Sequence, residues 1–171
     1  MRVLLIIDML KDFMEKEGPL YCGDNSRKII PFIKKKIDEC RGPDCKVIYS
    51  CDAHAPDDRE FSMFSPHAVK GSEGAKVIEE LEPAPGDIVV EKTTVIPFYG
   101  TDLERLFVEL NPEEVDVVGV CTSICVMEAV ADLSVRGYRT VVFKDGIADF
   151  DKEAHDFALK RMESVYGAEI K

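Results

Sequence analysis

Residues 115–126 read Val-Asp-Val-Val-Gly-Val-Cys-Thr-Ser-Ile-Cys-Val, and this stretch decides the fold. Its first six residues are mostly β-branched and apolar, which predicts a short, buried β-strand over residues 115–120. The apolar spacing that follows predicts a helix over about residues 124–135, ended by Gly137. A strand that leads straight into a helix is the repeating unit of a parallel sheet.

The same unit recurs on both sides of this stretch. Strand-like runs rich in Val and Ile occupy residues 3–7, 47–51, 88–90 and 140–143, and a weaker one lies near the C-terminus. A final helix is predicted over about residues 152–165, ended by Gly167. Three further stripes have helical spacing: Ile29, Ile30, Ile33 and Ile37; Val77, Ile78 and Leu81; Leu103, Leu106 and Leu110.

Ser26, Ser72 and Thr101 precede these three stripes and are predicted as their N-caps. Strands and helices therefore alternate along the whole chain, with no composition break and no internal repeat. We expect an α/β fold with an open, mostly parallel, Rossmann-like sheet of about six strands and helices on both faces. Residues 1–171 are expected to form a single domain.

Composition excludes several classes of function. The chain has 22 basic and 33 acidic residues, a net charge of -11, and no basic cluster that would hold a phosphate backbone. We therefore expect no nucleic-acid partner.

The longest apolar runs are far shorter than the roughly 20 residues that a membrane span needs, so no membrane partner is expected either. The N-terminus shows no cleavage signal, and the protein is predicted to be cytoplasmic.

In a reducing compartment the six cysteines are expected to be mostly free thiols. Cys40 and Cys45 are the exception to consider, because they could pair if the source is a hyperthermophile. The chain has no Cys-x-x-Cys motif and no Cys-His ligand spacing, which argues against a structural zinc finger.

Three reactive side chains fall at or just past predicted strand ends: Asp8, Lys92 and Cys125. In open α/β sheets, ligands bind outside the carboxyl ends of the strands. Each residue alone has a plainer interpretation: a structural carboxylate, a surface lysine and a buried apolar cysteine. Together they supply a nucleophile, a proton carrier and a cation that favours the thiolate, which is the chemistry of thiol-based amide hydrolysis. The start of a helix would also favour a Cys125 thiolate.

A second group of residues has the composition of a metal site. Asp52 and His54 are two apart at the end of a strand, so their side chains point the same way and could share one ion. His67 could add a third ligand and Glu60 a fourth. Carboxylate and imidazole suit Zn, Mn or Fe. The alternative is that Asp52 and His54 only cap loop structure, and His155 is interpreted as structural.

In order and spacing, these residues resemble the isochorismatase-like cysteine hydrolases, and among them the nicotinamidases. The resemblance covers nearly the whole chain. It is carried by Asp8 with Asp12-Phe13, Asp52-x-His54, Phe64-Ser65-Pro66-His67 followed by Gly71 and Gly74, Lys92, and Gly119-Val120-Cys121-Thr122-Ser123-Ile124-Cys125-Val126.

The resemblance implies a role for each of these residues. Asp8, Lys92 and Cys125 would be the catalytic triad. The metal ligands would be Asp52, His54 and His67, with Glu60 where some nicotinamidases have an additional acidic ligand.

The resemblance also implies an oxyanion hole and a substrate pocket. A cis peptide bond just before Cys121 would aim the backbone N–H groups of Cys121 and Cys125 at the substrate oxygen, and a non-proline cis bond is expected only at a functional site. Phe13 would flank the substrate ring, with Ile96 on the pocket wall. This sequence departs from the family pattern at Leu10, at residues 95–97 and at Ser123, all of which bear on substrate choice.

The implied activity is hydrolysis of nicotinamide to nicotinate and ammonia through a Cys125 thioester, with a divalent metal, Zn by preference and otherwise Mn or Fe. The partner would be a small amide substrate, and relatives are often dimers or tetramers, so a homo-oligomer is expected. One alternative is another small-amide hydrolase of the N-carbamoylsarcosine or ureido type, which Thr122-Ser123 resembles. Two further alternatives are a non-catalytic binding paralogue and a thiol redox protein that uses Cys121 and Cys125.

Overall fold

The computed structural model describes all 171 residues and contains one six-stranded sheet. All of its strand pairs are parallel. In the sheet the strands have the order β3-β2-β1-β4-β5-β6. The strands are β1 (Arg2–Ile7), β2 (Cys45–Asp52), β3 (Ile88–Lys92), β4 (Glu114–Val120), β5 (Thr140–Ala148) and β6 (Glu169–Ile170). This architecture confirms the predicted α/β fold with an open parallel sheet.

Six α-helices connect and cover these strands: α1 (Lys11–Met14), α2 (Asp24–Arg27), α3 (Ile30–Glu39), α4 (Leu103–Leu110), α5 (Met127–Val135) and α6 (Lys152–Ser164). Alternate residues of β1 point to opposite faces of the sheet. Leu4 and Ile6 pack with α3 in one apolar cluster, whereas Leu5 packs with α4, α5 and α6 in the other. Both faces of the sheet are therefore buried, which explains the continuous apolar strands. None of the helices has the length and apolar character needed to cross a membrane.

β1 lies at the centre of the sheet, between β2 and β4. The chain adds β2 and β3 on one side of β1 and then β4, β5 and β6 on the other, so the order of the strands reverses at β1. Such a reversal opens a crevice at the carboxyl ends of the strands. Asp8 follows β1, and Cys121 follows β4, at this crevice. Gly119 makes the close approach possible: its φ is +123°, and a Cβ there would lie 2.0 Å from the carbonyl oxygen of Ile7. No other residue type fits at that position.

The predicted helix after Ser72 is wrong. Residues 72–81 contain only a single 3-10 turn, Glu79–Leu81. The backbone of this segment is bonded to the start of the chain instead: Lys11 N–H donates to the carbonyl of Lys76 at 2.9 Å, and Ile78 N–H donates to that of Met9 at 3.0 Å. Tertiary hydrogen bonds thus replace the helical ones that the apolar spacing predicted.

Two predicted N-caps are also corrected. Ser26 lies inside α2, and Ile29 is the N-cap of α3. Asp102 is the N-cap of α4, although the hydroxyl of the neighbouring Thr101 accepts a hydrogen bond from Leu103 N–H at 3.3 Å. Both errors are shifts of helix starts, which are the least regular part of a helix.

Cys40 and Cys45 form a disulfide between the end of α3 and the start of β2. This pair is the exception to free thiols that the sequence left open. Their Cα atoms are 5.1 Å apart, within the usual separation for a disulfide. The other four cysteines, Cys22, Cys51, Cys121 and Cys125, are free and buried.

Candidate active site

Lys92 lies at the centre of a group of buried charged side chains at the carboxyl edge of the sheet. Its ammonium nitrogen is 2.8 Å from Asp8 Oδ2 and 3.7 Å from Cys125 Sγ, and it also donates a hydrogen bond to Asp52. These four side chains come from the ends of β1, β2 and β3 and from the turn after β4. The structure thus brings together Asp8, Lys92 and Cys125.

The backbone of Asp8 is in an unusual conformation for a residue other than glycine. Its φ is +50°, in the left-handed region. Its carboxylate reaches the end of the neighbouring strand β2, where Oδ1 accepts a hydrogen bond from Asp52 N–H at 2.9 Å. Strained backbone of this kind persists where surrounding contacts over-determine it, and it concentrates at functional sites.

Burial and charge shift the pKa values of these groups. Burial and the nearby Asp52 raise the pKa of Asp8 to about 6, even though Lys92 acts in the opposite direction. Burial alone would lower the pKa of Lys92, but the attraction of Asp52 and Asp8 outweighs it and holds that pKa well above its usual value. Lys92 is therefore a permanent cation, and Asp8 is the group able to gain and lose a proton near neutral pH.

Burial raises the pKa of the Cys125 thiol well above its usual value, and Lys92 only partly offsets this effect. This shift opposes the preference for a thiolate that a helix start and a neighbouring cation provide. Cys125 belongs to the distorted turn Thr122–Val126 that precedes α5, where it is only 7% exposed. A thiol in this state needs a base at the moment of attack, and Asp8 is within 4.8 Å of it.

A second cluster adjoins the first through Asp52. One carboxylate oxygen of Asp52 lies 3.7 Å from His54 Nε2 and 3.8 Å from His67 Nε2, and potential ligand atoms of the three residues all lie within 4.8 Å of one another. The three side chains are buried. Carboxylate and imidazole at this spacing have the composition of a transition-metal site.

Hydrogen bonds orient both imidazoles for such a role. His67 Nδ1 donates to the carbonyl oxygen of Ser65 at 2.8 Å, and His54 Nδ1 lies 3.2 Å from Asp58 Oδ2. Each Nε2 is then left facing Asp52, and His54 Nε2 is buried without any hydrogen-bond partner. A buried, unpartnered nitrogen is costly unless something binds to it, so these residues fit a metal ion.

Glu60 lies outside this three-residue cluster. Its side chain lines the neighbouring cavity, and burial, followed by the repulsion of Asp52, raises its pKa. A direct ligand role for Glu60 remains a prediction.

The turn that carries Cys125 begins at a backbone N–H without a hydrogen-bond partner, that of Cys121. The peptide bond between Val120 and Cys121 is cis. The N–H of Cys121 donates none of the hydrogen bonds in the structure, whereas the Cys121 carbonyl accepts bonds from Ile124 and Val126. A free N–H beside the nucleophile is what an oxyanion hole requires.

A cavity of about 300 Å³ opens onto Cys125. It is at the small end of the range for ligand sites. Phe13 lines it and packs against His67, with ring centroids 5.4 Å apart. Val95 lines the cavity where Ile96 was predicted, because Ile96 faces an adjoining surface groove and is 38% exposed. The lining consists of Asp8, Phe13, Pro19, Leu20, Tyr21, Asp52, Glu60, Phe64, His67, Val95, Val120, Cys121, Ile124, Cys125 and Phe150.

Sequence reasoning missed three residues that belong to the surroundings of the site. Asp58 contacts His54, and its position four residues later was the available signal. Asp12 belongs to a motif of the family resemblance, which assigns it no role of its own. In the structure its Oδ2 accepts a hydrogen bond from Ala68 N–H at 2.8 Å, next to His67. Phe150, two residues after the end of β5, also lines the cavity, and its place just past a strand end was the available signal.

Comparison with known proteins is consistent with this site. Residues 2–170 match the model of the isochorismatase domain. The chain is 34% identical to a Bacillus subtilis protein called uncharacterized isochorismatase family protein PncA, over 99% of this chain and 98% of that protein.

Two solved structures are similar over nearly the full length. One is the N-carbamoylsarcosine amidase of Thermoplasma acidophilum, with 33% identity, a TM-score of 0.89 and coverage of 99% of this chain and 95% of the other. The second is the nicotinamidase PncA of Bacillus subtilis, with 30% identity, a TM-score of 0.89 and coverage of 99% and 98%.

Proposed function

Because this chain belongs to the isochorismatase family of hydrolases, we propose that it is a cysteine-dependent amidase that converts nicotinamide and water to nicotinate and ammonia. One observation carries the proposal: a buried nucleophile, proton carrier and cation, Cys125, Asp8 and Lys92, adjoin a carboxylate–imidazole cluster at one small cavity. The first group suits hydrolysis of the amide, and the second suits recognition of a ring nitrogen.

The proposed reaction begins with attack of Cys125 Sγ on the carboxamide carbon, while the thiol proton passes to Asp8. The Cys121 N–H donates to the oxygen that becomes negative. Asp8 then returns the proton to the departing ammonia, which leaves a Cys125 thioester. Water attacks the thioester, Asp8 takes a proton from it, and nicotinate leaves as the thiol re-forms. Lys92 keeps its charge throughout and stabilises the negative charge on sulfur and on Asp8.

Asp52, His54 and His67 are the residues that would hold a divalent metal, with zinc the best match to this donor set. When bound, the metal would act as a Lewis acid toward the pyridine nitrogen and so orient the ring. Phe13, which packs on His67, would flank the ring.

The charge of the cavity supports a neutral substrate. Its charged lining residues are Asp8, Asp52 and Glu60, and its lining includes no Lys or Arg. Lys92 lies behind Asp8 and Asp52 and is already paired with both carboxylates. The lining therefore offers no lysine or arginine side chain that could pair with the carboxylate of a substrate, which supports nicotinamide over N-carbamoylsarcosine.

A second candidate is nevertheless an amidase of the N-carbamoylsarcosine type. The similarity to the Thermoplasma enzyme supports it, as does the Thr122-Ser123 pair in the nucleophile turn.

An ammonia-release assay distinguishes the two candidates. Purified protein is supplied with zinc and offered nicotinamide, pyrazinamide or N-carbamoylsarcosine. We expect turnover of the two ring amides and little of the third. The reverse order would favour the second candidate, and no ammonia from any amide would contradict both.

A further inference from the structure

Two free thiols outside the triad are in direct contact. Cys22 Sγ lies 2.9 Å from Cys121 Sγ, although the residues are 99 positions apart in the chain. This separation is shorter than van der Waals contact between sulfur atoms, and a disulfide needs about 2.05 Å. We propose that Cys22 and Cys121 form a reversible disulfide under peroxide, and that this disulfide switches the hydrolase off.

The two cysteines join two walls of the catalytic cavity. Cys22 directly follows the lining residues Pro19, Leu20 and Tyr21, and its N–H donates to the carbonyl of Phe13 at 2.9 Å. Cys121 is itself a lining residue and begins the turn that carries Cys125. A bond between them would therefore tie the segment around Phe13 to the proposed oxyanion donor.

No other free thiols in the structure make such a contact. Cys51 has no sulfur neighbour within hydrogen-bond distance, and the contact partner of Cys125 is Lys92. The sequence suggested a thiol redox protein that uses Cys121 and Cys125 as an alternative function. In the structure the sulfur atom in contact with Cys121 belongs to Cys22 and not to Cys125.

The exposure of the two thiols sets the order of the chemistry. Cys121 faces the cavity and is 8% exposed, whereas Cys22 lies behind it at 1%. Hydrogen peroxide that enters the cavity oxidises the Cys121 thiol to a sulfenic acid and releases one water. Cys22 sulfur then attacks the Cys121 sulfur: the S–S bond forms, the S–O bond breaks, and the departing hydroxide takes the Cys22 proton as a second water. Dithiothreitol reverses the change by thiol–disulfide exchange.

The effect on catalysis follows from the position of Cys121. Bringing the sulfurs to bonding distance shifts Cys121, whose backbone N–H is the proposed oxyanion donor. The sulfur atoms must approach by somewhat less than about 1 Å, and a misplacement of about 1 Å in a catalytic group can cost about a hundredfold in rate. We therefore expect the oxidised protein to be at least about tenfold slower.

The first test is to map disulfides in the reduced full-length protein after brief exposure to hydrogen peroxide. The variants are wild type, Cys22→Ser, Cys125→Ser and Cys51→Ser, the last as a matched loss of one buried thiol. Peptide mass spectrometry should find a Cys22–Cys121 crosslink in all but Cys22→Ser. Absence of the crosslink from wild type, or a Cys121–Cys125 crosslink in its place, would overturn the proposal.

The second test measures turnover, and only this part rests on the proposed hydrolase function. Crosslinked wild type, in which mass spectrometry finds Cys125 still a free thiol, should lose at least about tenfold in rate and recover with dithiothreitol. Cys22→Ser treated in the same way should keep its rate. Full turnover by the crosslinked protein would refute the switch. The assay uses whichever amide releases ammonia, so failure of the nicotinamide assignment and failure of the crosslink are separate results.

Discussion

The ammonium nitrogen of Lys92 lies 2.8 Å from Asp8 Oδ2, and each of the two residues is only 1% exposed. Lys92 also pairs with the buried carboxylate of Asp52. One cation therefore serves two carboxylates, and the site keeps a residual negative charge. That charge can be balanced by a proton on Asp8, whose pKa is raised to about 6, and by a cation beside Asp52. Proton transfer and metal binding thus depend on the same pair of carboxylates.

Lys92→Met should destabilise the fold as well as reduce turnover. Removal of one partner of a buried ion pair typically costs about 3–5 kcal/mol, because the remaining charge is buried without compensation. The free energy of unfolding, measured by urea denaturation, should fall by about that amount. Lys70→Met is the matched control, since Lys70 forms a pair with Glu91 at the surface, and its stability should hardly change. Equal stability of the two variants would contradict the buried pair.

The same Lys92→Met variant should raise the pKa of Cys125 further, because the nearest cation to the sulfur is lost. The alkylation rate of Cys125 with iodoacetamide, followed from pH 6 to pH 11, should then rise only at higher pH than in wild type. Superimposable profiles for the two proteins would show that Lys92 does not influence the thiol.

Cys125→Ala should abolish amide hydrolysis while the protein keeps its circular dichroism spectrum, because the change removes one thiol at the edge of the sheet. Cys121→Ala is the matched comparison and should retain most of its activity, since only its backbone N–H has a proposed role. Ammonia release measures both. Substantial turnover by Cys125→Ala would rule out Cys125 as the nucleophile.

Loss of the metal should reduce the preference for a ring nitrogen. Benzamide has the same carboxamide as nicotinamide and nearly the same shape, but it lacks that nitrogen. Wild type should prefer nicotinamide, and each tenfold of preference corresponds to about 1.4 kcal/mol of differential stabilisation. In His54→Ala and His67→Ala, bound metal measured by mass spectrometry should fall, and the preference should shrink toward unity. A preference that survives metal loss would assign ring recognition to the cavity wall near Phe13.

Asp12→Ala should weaken metal binding although Asp12 does not belong to the cluster. Its carboxylate holds Ala68 N–H, next to His67, and Gly74 packs so closely that a Cβ there would lie 2.2 Å from that carboxylate. Loss of such a supporting contact typically costs about 10–100-fold in metal affinity. Asp12→Asn keeps an acceptor oxygen and should restore most of the affinity in a competition titration with a chelator. Equal metal affinity in Asp12→Ala and wild type would show that Asp12 does not position the metal ligands.

The strands could be predicted because each is a short run of β-branched residues buried on both sides, and such runs differ sharply from their surroundings. The segment after Ser72 could not, because its apolar spacing is helical while its backbone bonds go to residues 9–12. The family resemblance implies Ile96 on the cavity wall, but Val95 lies there instead. Sequence spacing does not specify which of two adjacent loop residues faces inward.

By itself, the sequence determined the parallel α/β architecture and the nearness of Asp8, Asp52, Lys92 and Cys125. Periodicity identifies the strands, and the ends of parallel strands meet at one edge of the sheet. Only the tertiary structure decided that Lys92 pairs with two carboxylates, that burial raises the pKa of the Cys125 thiol, and that Cys22 touches Cys121 across 99 positions. These properties depend on distances and burial, which arise when loops far apart in the chain pack together and which no local pattern of residues encodes.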